Sequence, residues 1–274
     1  MTVGEAIREA AARLSATSDT ARLDAEVLMA HALGVARSEM LLRHQREPVP
    51  DGFASLVERR AAHEPVAYIT GTQEFYGLEL RVTPEVLIPR GDSEVLVETA
   101  LGHAAAQAGR VLDCGTGSGA LLLAVLAARP GWQGIGIDIS PGALAVAADN
   151  AARIALADRA QMVLASWCDS GWSAGLGRFD LILANPPYVE DAADLDPCVR
   201  EYEPAGALFA GPEGLDDYRI LIPQLRGLLV PGGLALLEIG ASQGESVGAL
   251  ARDAGFSVDL RRDLAGRPRV ICLT

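Results

Sequence analysis

Over the first seventy residues, apolar positions recur every three to four residues. Val3, Ile7, Ala11 and Leu14 share one helical face, and a second run from Asp19 to Leu33 stops at Gly34, a residue type that ends helices well. Shorter helices are predicted around 38–45 and over 51–62, the latter opened by Asp51. The period then changes. In GTQEFYGLELRVTP (71–84), Phe75, Tyr76, Leu78, Leu80 and Val82 are arranged around Gly77, a pattern that predicts a β-hairpin. The segment EVLIPRG follows and leads to a helix opening near Asp92 and Ser93, both N-cap residue types.

From Arg110 the rhythm becomes strand, glycine turn, helix. Strands are predicted over 110–114, 133–138, 161–165, 179–184 and 234–240, and helices over 119–128, 141–153, 215–229 and 243–254. Ser140 is the predicted cap of the second of these helices, with Pro141 at its first position. This alternation implies a parallel sheet with helices on both faces. The last two strands, in SVDLRRD and RPRVICLT, are joined only by 264–267, which forces them to pair antiparallel. The chain thus divides into a helical domain at 1–70, a hairpin linker at 71–89 and an α/β domain at 90–274. It shows no internal repeat, and its one biased tract is the alanine-rich stretch at 104–108.

Composition narrows the chemistry. All 23 basic residues are arginine, against 36 acids, for a net charge of −13 over 274 residues. The absence of lysine excludes a P-loop lysine, a Schiff base and a Ser-Lys nucleophile pair. His103 is the last of the four histidines, so neither a Ser-His-Asp triad nor an HExxH zinc site can lie in the C-terminal half. The acidic balance disfavours a non-specific grip on nucleic-acid phosphates. Cys114, Cys168, Cys198 and Cys272 have no CxxC spacing, which suits apolar fillers in a reducing compartment and gives no metal site. The longest apolar run, Ala120 to Ala128, is too short to span a bilayer, and no signal peptide is expected, so a cytoplasmic location is predicted.

Three constellations carry the chemistry. DCGTGSG, Asp113 to Gly119, closes the first core strand with GxGxG spacing, which lets a backbone turn approach a ligand at a helix N-terminus; a plain strand–helix turn is its structural alternative. Asp138 ends the next strand, 19 residues after Gly119, where a carboxylate can accept from both hydroxyls of a ribose or, otherwise, cap a helix. NPPY, Asn185 to Tyr188, follows the fourth strand, at the edge where open α/β sheets bind ligands. Its prolines remove two N–H donors and leave carbonyls. Asn185 Oδ1 and the Pro186 carbonyl can accept the two hydrogens of a planar NH₂ group, with Tyr188 packed on its plane.

These motifs resemble the HemK-type protein-(glutamine-N5) methyltransferases, in the branch that methylates the GGQ glutamine of class-1 peptide release factors. GTQEFYGLEL (71–80), VLIPRGDSE (86–94), YEPAGAL (202–208), GLDDYRIL (214–221) and AGRPRV (265–270) extend the resemblance over nearly the whole chain. It implies a Rossmann-like class I core: a mostly parallel seven-stranded sheet with an antiparallel terminal hairpin, preceded by a small helical domain for substrate docking. It implies S-adenosyl-L-methionine as cofactor, leaving S-adenosyl-L-homocysteine as product. The cofactor loop falls on Gly115, Thr116, Gly117, Ser118 and Gly119, the ribose carboxylate on Asp138, and an adenosyl-end tryptophan on Trp167. The clamp falls on Asn185, Pro186, Pro187 and Tyr188, with Asn185, Pro186 and Tyr188 as the catalytic set and Asn185 also facing the cofactor. Ser166 stands where the family has aspartate, and Gly91 where it has proline.

Trp167 reads alternatively as a half-buried packing indole, and Phe75 as either a wall of the glutamine pocket or a core aromatic. Cys114 reads as a core residue, the histidines as packing or solvent-facing groups, and the Arg59–Arg60 pair as a solvated helix face. The expected partner is a release factor met by a monomer, without direct nucleic-acid or membrane contact. Alternatives are a ribosomal-protein glutamine methyltransferase or a nucleic-acid adenine or guanine methyltransferase. Residues 1–84 carry 9 arginines against 12 acids and show no basic groove for the latter. A nicotinamide oxidoreductase is disfavoured by the GxGxG spacing and by the missing His or Lys proton donor.

Overall fold

A computed structural model of the chain describes residues 1–103 and 107–274; most of the alanine-rich tract at 104–108 therefore lies outside the described residues. The chain forms two compact units, Met1–Thr72 with Leu195–Glu203, and Gln73–Asp194 with Pro204–Thr274.

In the smaller unit, the helix Val3–Leu14 is closed at its start by a capping box. Thr2 Oγ1 accepts from Glu5 N, and Glu5 Oε2 accepts from Thr2 N at 2.8 Å. Val3, Ile7 and Leu14 are fully buried, with Leu28, Met29 and Met40 among the same cluster. The helix Ala21–Leu33 ends on Gly34 at φ +69°, as its sequence requires. In three places the structure departs from the sequence pattern. The predicted 38–45 helix is a short α-turn, Arg37–Glu39, running into a π-turn, Met40–His44. Asp51 does not open the next helix: Gly52 is the N-cap of Phe53–Ala61, with no side-chain cap bond. Arg60 is not solvated. It is buried and its Nε donates to Asp24 Oδ2 at 2.7 Å, while Arg59 pairs with Glu64. Asp24 also accepts from the hydroxyls of Ser18 and Thr20, so this buried charge is fully paired. Pattern reading missed the helix Val66–Thr70, which follows Pro65 and is too short to show a period.

The larger unit carries the sheets. β1 (Thr72–Phe75) and β2 (Leu78–Arg81) form the predicted hairpin. Its two turn residues, Tyr76 at φ +50° and Gly77 at φ +77°, both lie in the left-handed region, as a type I′ connection demands. β3 (Gly109–Cys114), β4 (Trp132–Asp138), β5 (Ala160–Leu164), β6 (Phe179–Ala184), β7 (Leu229–Glu238), β8 (Val258–Arg262) and β9 (Pro268–Leu273) form one sheet ordered β5-β4-β3-β6-β7-β9-β8. β3 to β7 pair in parallel, and β9 inserts antiparallel between β7 and β8. The fold is therefore the Rossmann-like α/β class with an antiparallel terminal hairpin.

Core packing follows from composition. The helix Ala120–Ala128 is apolar on every side, and Leu122, Leu123, Val125 and Leu126 are fully buried, as an all-apolar helix must be. Cys114 is likewise buried in the core. Ser140 Oγ accepts from Ala143 N and Pro141 opens Pro141–Arg153, as predicted. Asp92 and Ser93 are not caps: they sit in a 3₁₀ turn, Gly91–Ser93, ahead of Glu94–His103, and Asp92 pairs with Arg269 at 2.5 Å. The strand order reverses beside β3, so β4 and β6 flank it and the loops after β3, β4 and β6 converge at one edge. Such a switch point opens a crevice at the carboxyl ends of the strands.

Candidate active site

The crevice holds a cavity of about 300 Å³. Its wall includes Gly115, Thr116, Gly117, Ser118, Asp138, Trp167, Asn185 and Pro187, so four segments distant in sequence, at the ends of β3, β4, β5 and β6, meet there. Gly119, Pro186 and Tyr188 do not line it. Gly119 is the N-cap of Ala120–Ala128, Pro186 is buried, and the Tyr188 hydroxyl donates to Glu238 Oε1 at 3.2 Å.

The glycine loop is built by backbone geometry. Gly115, Gly117 and Gly119 have φ of +75°, +54° and +84°. Gly115 N and Thr116 N both donate to Ile137 O at 2.9 Å, and Thr116 Oγ1 donates to Asp113 Oδ2 at 2.7 Å. A methyl added at Gly117 would meet nothing within 4 Å, whereas one at Gly115 would lie 3.2 Å from Trp167 Cη2. The loop therefore leaves open space at Gly117, while the Trp167 indole packs close against Gly115. Asp138 is held on both oxygens: Oδ2 accepts from Gly117 N at 3.0 Å and Oδ1 from Ser140 N at 2.9 Å. Each carboxylate oxygen has a second acceptor site, which suits a pair of vicinal hydroxyls.

Trp167 is buried, its Nε1 donates to Asp217 Oδ1 at 2.9 Å, and its carbonyl accepts from Gln224 Nε2 at 3.0 Å. Asp217 also lines the cavity, and its carboxyl is pushed above the usual range, mainly by burial. Sequence reading passed over it inside GLDDYRIL, although an aspartate in the first turn of Asp216–Leu228 marks the cavity side of that helix only once folded. Ser166 lines the same wall. Phe75 is a core aromatic, 1 % exposed, and also borders the cavity.

Two further residues were missed. Asn150, buried on the helix Pro141–Arg153, accepts from Arg81 N at 2.7 Å and donates to Arg81 O at 3.0 Å and Ser118 O at 2.9 Å. It ties the hairpin to the glycine loop. Gln243 Nε2 donates to both Tyr188 O and Gly214 O at 3.0 Å, fixing the end of the NPPY turn. Isolated amides of this kind have no local signal, because their partners come from strands and loops far along the chain. Among the described residues, no group of three or more His, Cys, Asp or Glu is placed to hold a metal ion.

Comparison with known proteins places the chain. Residues 5–71 match the PrmC N-terminal domain and residues 91–201 the Methyltransferase small domain. A release factor glutamine methyltransferase of Cereibacter sphaeroides is 42% identical over 279 residues, covering 99% of this chain and 98% of that protein. The chain belongs to the release factor glutamine methyltransferase family. The Moorella thermoacetica member is 43% identical over 278 residues, covering 98% of this chain and 97% of its own. Among solved structures, a methyltransferase from Pyrococcus furiosus superposes with TM-score 0.54 at 16% identity, covering 80% of this chain and 98% of that one, a likeness of fold. As a member of this family of methyltransferases, the chain carries its cavity at the loops where the family motifs fall. Among the described residues, no helix is long and apolar enough to cross a membrane.

Proposed function

We propose that this enzyme transfers the methyl group of S-adenosyl-L-methionine to the side-chain amide nitrogen of the GGQ glutamine of class-1 peptide release factors, leaving S-adenosyl-L-homocysteine. The observation that carries the reading is the position of Asn185 on the wall of the same cavity as Gly117 and Asp138. The residues fit the cofactor: Asp138 presents two oriented carboxylate oxygens, and the backbone at Gly117 leaves open space for a ligand. Once bound, the cofactor supplies an electrophilic methyl group on a sulfonium.

A carboxamide nitrogen is a poor nucleophile because its lone pair is delocalised into the carbonyl. Asn185 Oδ1 and the Pro186 carbonyl accept its two hydrogens and turn the nitrogen toward the methyl carbon. These acceptors strengthen as positive charge develops on nitrogen, which is differential binding of the transition state. In-line positioning with water excluded contributes effective molarities of about 10⁵ M or more. The methylated nitrogen is acidic and releases one of its two hydrogens to solvent as a proton, so no lysine, histidine or metal is required by this chemistry. Gly115–Gly119, Asp138 and Trp167 form the cofactor side, and Asn185–Tyr188 the acceptor side.

The helical unit is the proposed docking surface for the protein substrate. That unit includes Leu195–Glu203, which follows the NPPY turn in the chain, and Tyr202 Oη donates to Ala62 O at 2.6 Å. A monomeric enzyme in the cytoplasm, acting on a protein and not on nucleic acid, completes the reading. The test is labelled methyl transfer to a purified release factor, wild type against one with the GGQ glutamine replaced. Label on the wild-type factor alone is expected. Label on both factors, or on RNA instead, would overturn the assignment.

A further inference from the structure

The end of β7 carries a carboxyl group that the reaction scheme above does not use. Glu238 is 1 % exposed, lies on a central strand of the sheet, and is reached by the hydroxyl of Tyr188 at 3.2 Å from Oε1. Its other oxygen, Oε2, is wholly buried and makes no hydrogen bond of standard geometry. Burial, helped by Asp92, pushes its carboxyl above the usual carboxylate range against the Ser93 and Tyr188 hydroxyls and the Arg269 guanidinium, which favour its charge. Arg269 is itself shared with Asp92 and Asp263. The strand end is fixed in turn, since the buried Tyr218 hydroxyl donates to the Glu238 carbonyl at 2.6 Å.

Burying this carboxyl costs stability. What it does is hold one end of Tyr188, whose carbonyl end is already fixed by Gln243. The backbone and the ring tip of the last NPPY residue are thus anchored separately.

We propose that Glu238 is a positioning residue for methyl transfer, fixing the ring plane of Tyr188 beside the acceptor amide. This rests on the reading of Asn185–Tyr188 as the amide clamp. The bond to the phenol is what matters, so any side chain with an acceptor at Oε1 preserves it.

The test combines E238L, E238Q, Y188F and the Y188F/E238L double variant. A misplacement of about 1 Å costs up to roughly 10²-fold in rate. E238L and Y188F are each expected to lower kcat by about 10- to 100-fold, with the dissociation constant for S-adenosyl-L-methionine, measured by calorimetry, within about threefold of wild type. The double variant is expected to lose no more than either single one, because both remove the same bond. It also replaces both partners by apolar groups, so it is expected to fold even if E238L does not. E238Q, which keeps the acceptor, is expected to recover kcat to within about threefold of wild type. Separately, 3-fluorotyrosine is incorporated at the five tyrosines, and the fluorine line lost in Y188F reports Tyr188. That line is expected to shift or broaden in E238L and to hold its position in E238Q. An E238L kcat within threefold of wild type, losses that multiply in the double variant, E238Q as slow as E238L, or an unmoved fluorine line would each overturn the proposal. A wild-type enzyme that leaves the release factor unlabelled would instead sink the substrate assignment, while the fluorine measurement, which needs no acceptor, still decides the role of Glu238.

Discussion

Gly117 and Asp138 are joined by a hydrogen bond from backbone N to Oδ2 at 3.0 Å, across 21 positions of chain. With Ser140 N on Oδ1, it orients the carboxylate before any ligand arrives, so little ordering remains to be done on binding. Bonds to a charged group contribute about 1.5–3 kcal/mol each. D138A is expected to weaken S-adenosyl-L-methionine binding by roughly 10- to 150-fold, read by calorimetry. An unchanged dissociation constant would remove Asp138 from the cofactor site.

Asn185 is expected to behave differently. In the proposed clamp its amide meets the nitrogen on which charge develops, so N185A should lower turnover by about 10²–10³ while cofactor affinity falls far less. Single-turnover methyl transfer alongside calorimetry separates the two. A variant that binds cofactor and keeps most of its turnover would refute the clamp.

Asp113 gives the fold a pH signature. Burial pushes its carboxyl up to about 7, against the opposing bond from Thr116. A carboxyl raised in the folded state binds its proton more tightly there than in the unfolded chain. The contribution of Asp113 to stability therefore falls as pH rises from about 4 to about 7 and levels off above that. D113N retains an acceptor for Thr116 and loses this slope. Melting temperatures of the two proteins at pH 5 and pH 8 should show D113N gaining on wild type at the higher pH. A gap that does not change with pH would contradict the shift.

Two glycines separate binding from framework. Gly214 has φ +64°, and a methyl there would lie 2.3 Å from the Tyr188 carbonyl oxygen, whereas Gly117, at φ +54°, has open space around it. G117A carries only the left-handed penalty, about 1–2 kcal/mol, and is expected to act mainly on cofactor affinity. G214A adds a collision with the NPPY backbone, so it should lower the melting temperature further and reduce turnover. Equal effects of the two on stability would argue against that close contact.

Much of this molecule was legible along the chain. Apolar runs and glycine turns marked β3 to β6 to within one residue, because a parallel sheet buried on both faces needs continuous apolar runs such as FDLILA, 179–184, whereas β7 starts at Leu229, ahead of the predicted 234–240. Ser140, Pro141 and Gly34 marked helix ends through their own backbone and side-chain chemistry. Local chemistry misled where a long-range partner overrode it. Asp92 looked like a cap and instead pairs with Arg269, and Arg60 looked solvated and instead meets Asp24, 36 positions away.

The sequence by itself determined the fold class, the family motifs and the residue types able to clamp an amide, since these depend on period, spacing and functional groups. Only the tertiary structure decided which of them share a wall. Strand order brings the loops after β3, β4 and β6 together, and with them Gly117, Asp138 and Asn185. It also set the anchors behind them, Asn150 on Ser118, Asp217 on Trp167 and Glu238 on Tyr188. Each of those bonds spans 32 or more positions. A buried polar side chain must be satisfied by whatever the fold brings near it, and no pattern along the chain carries that information.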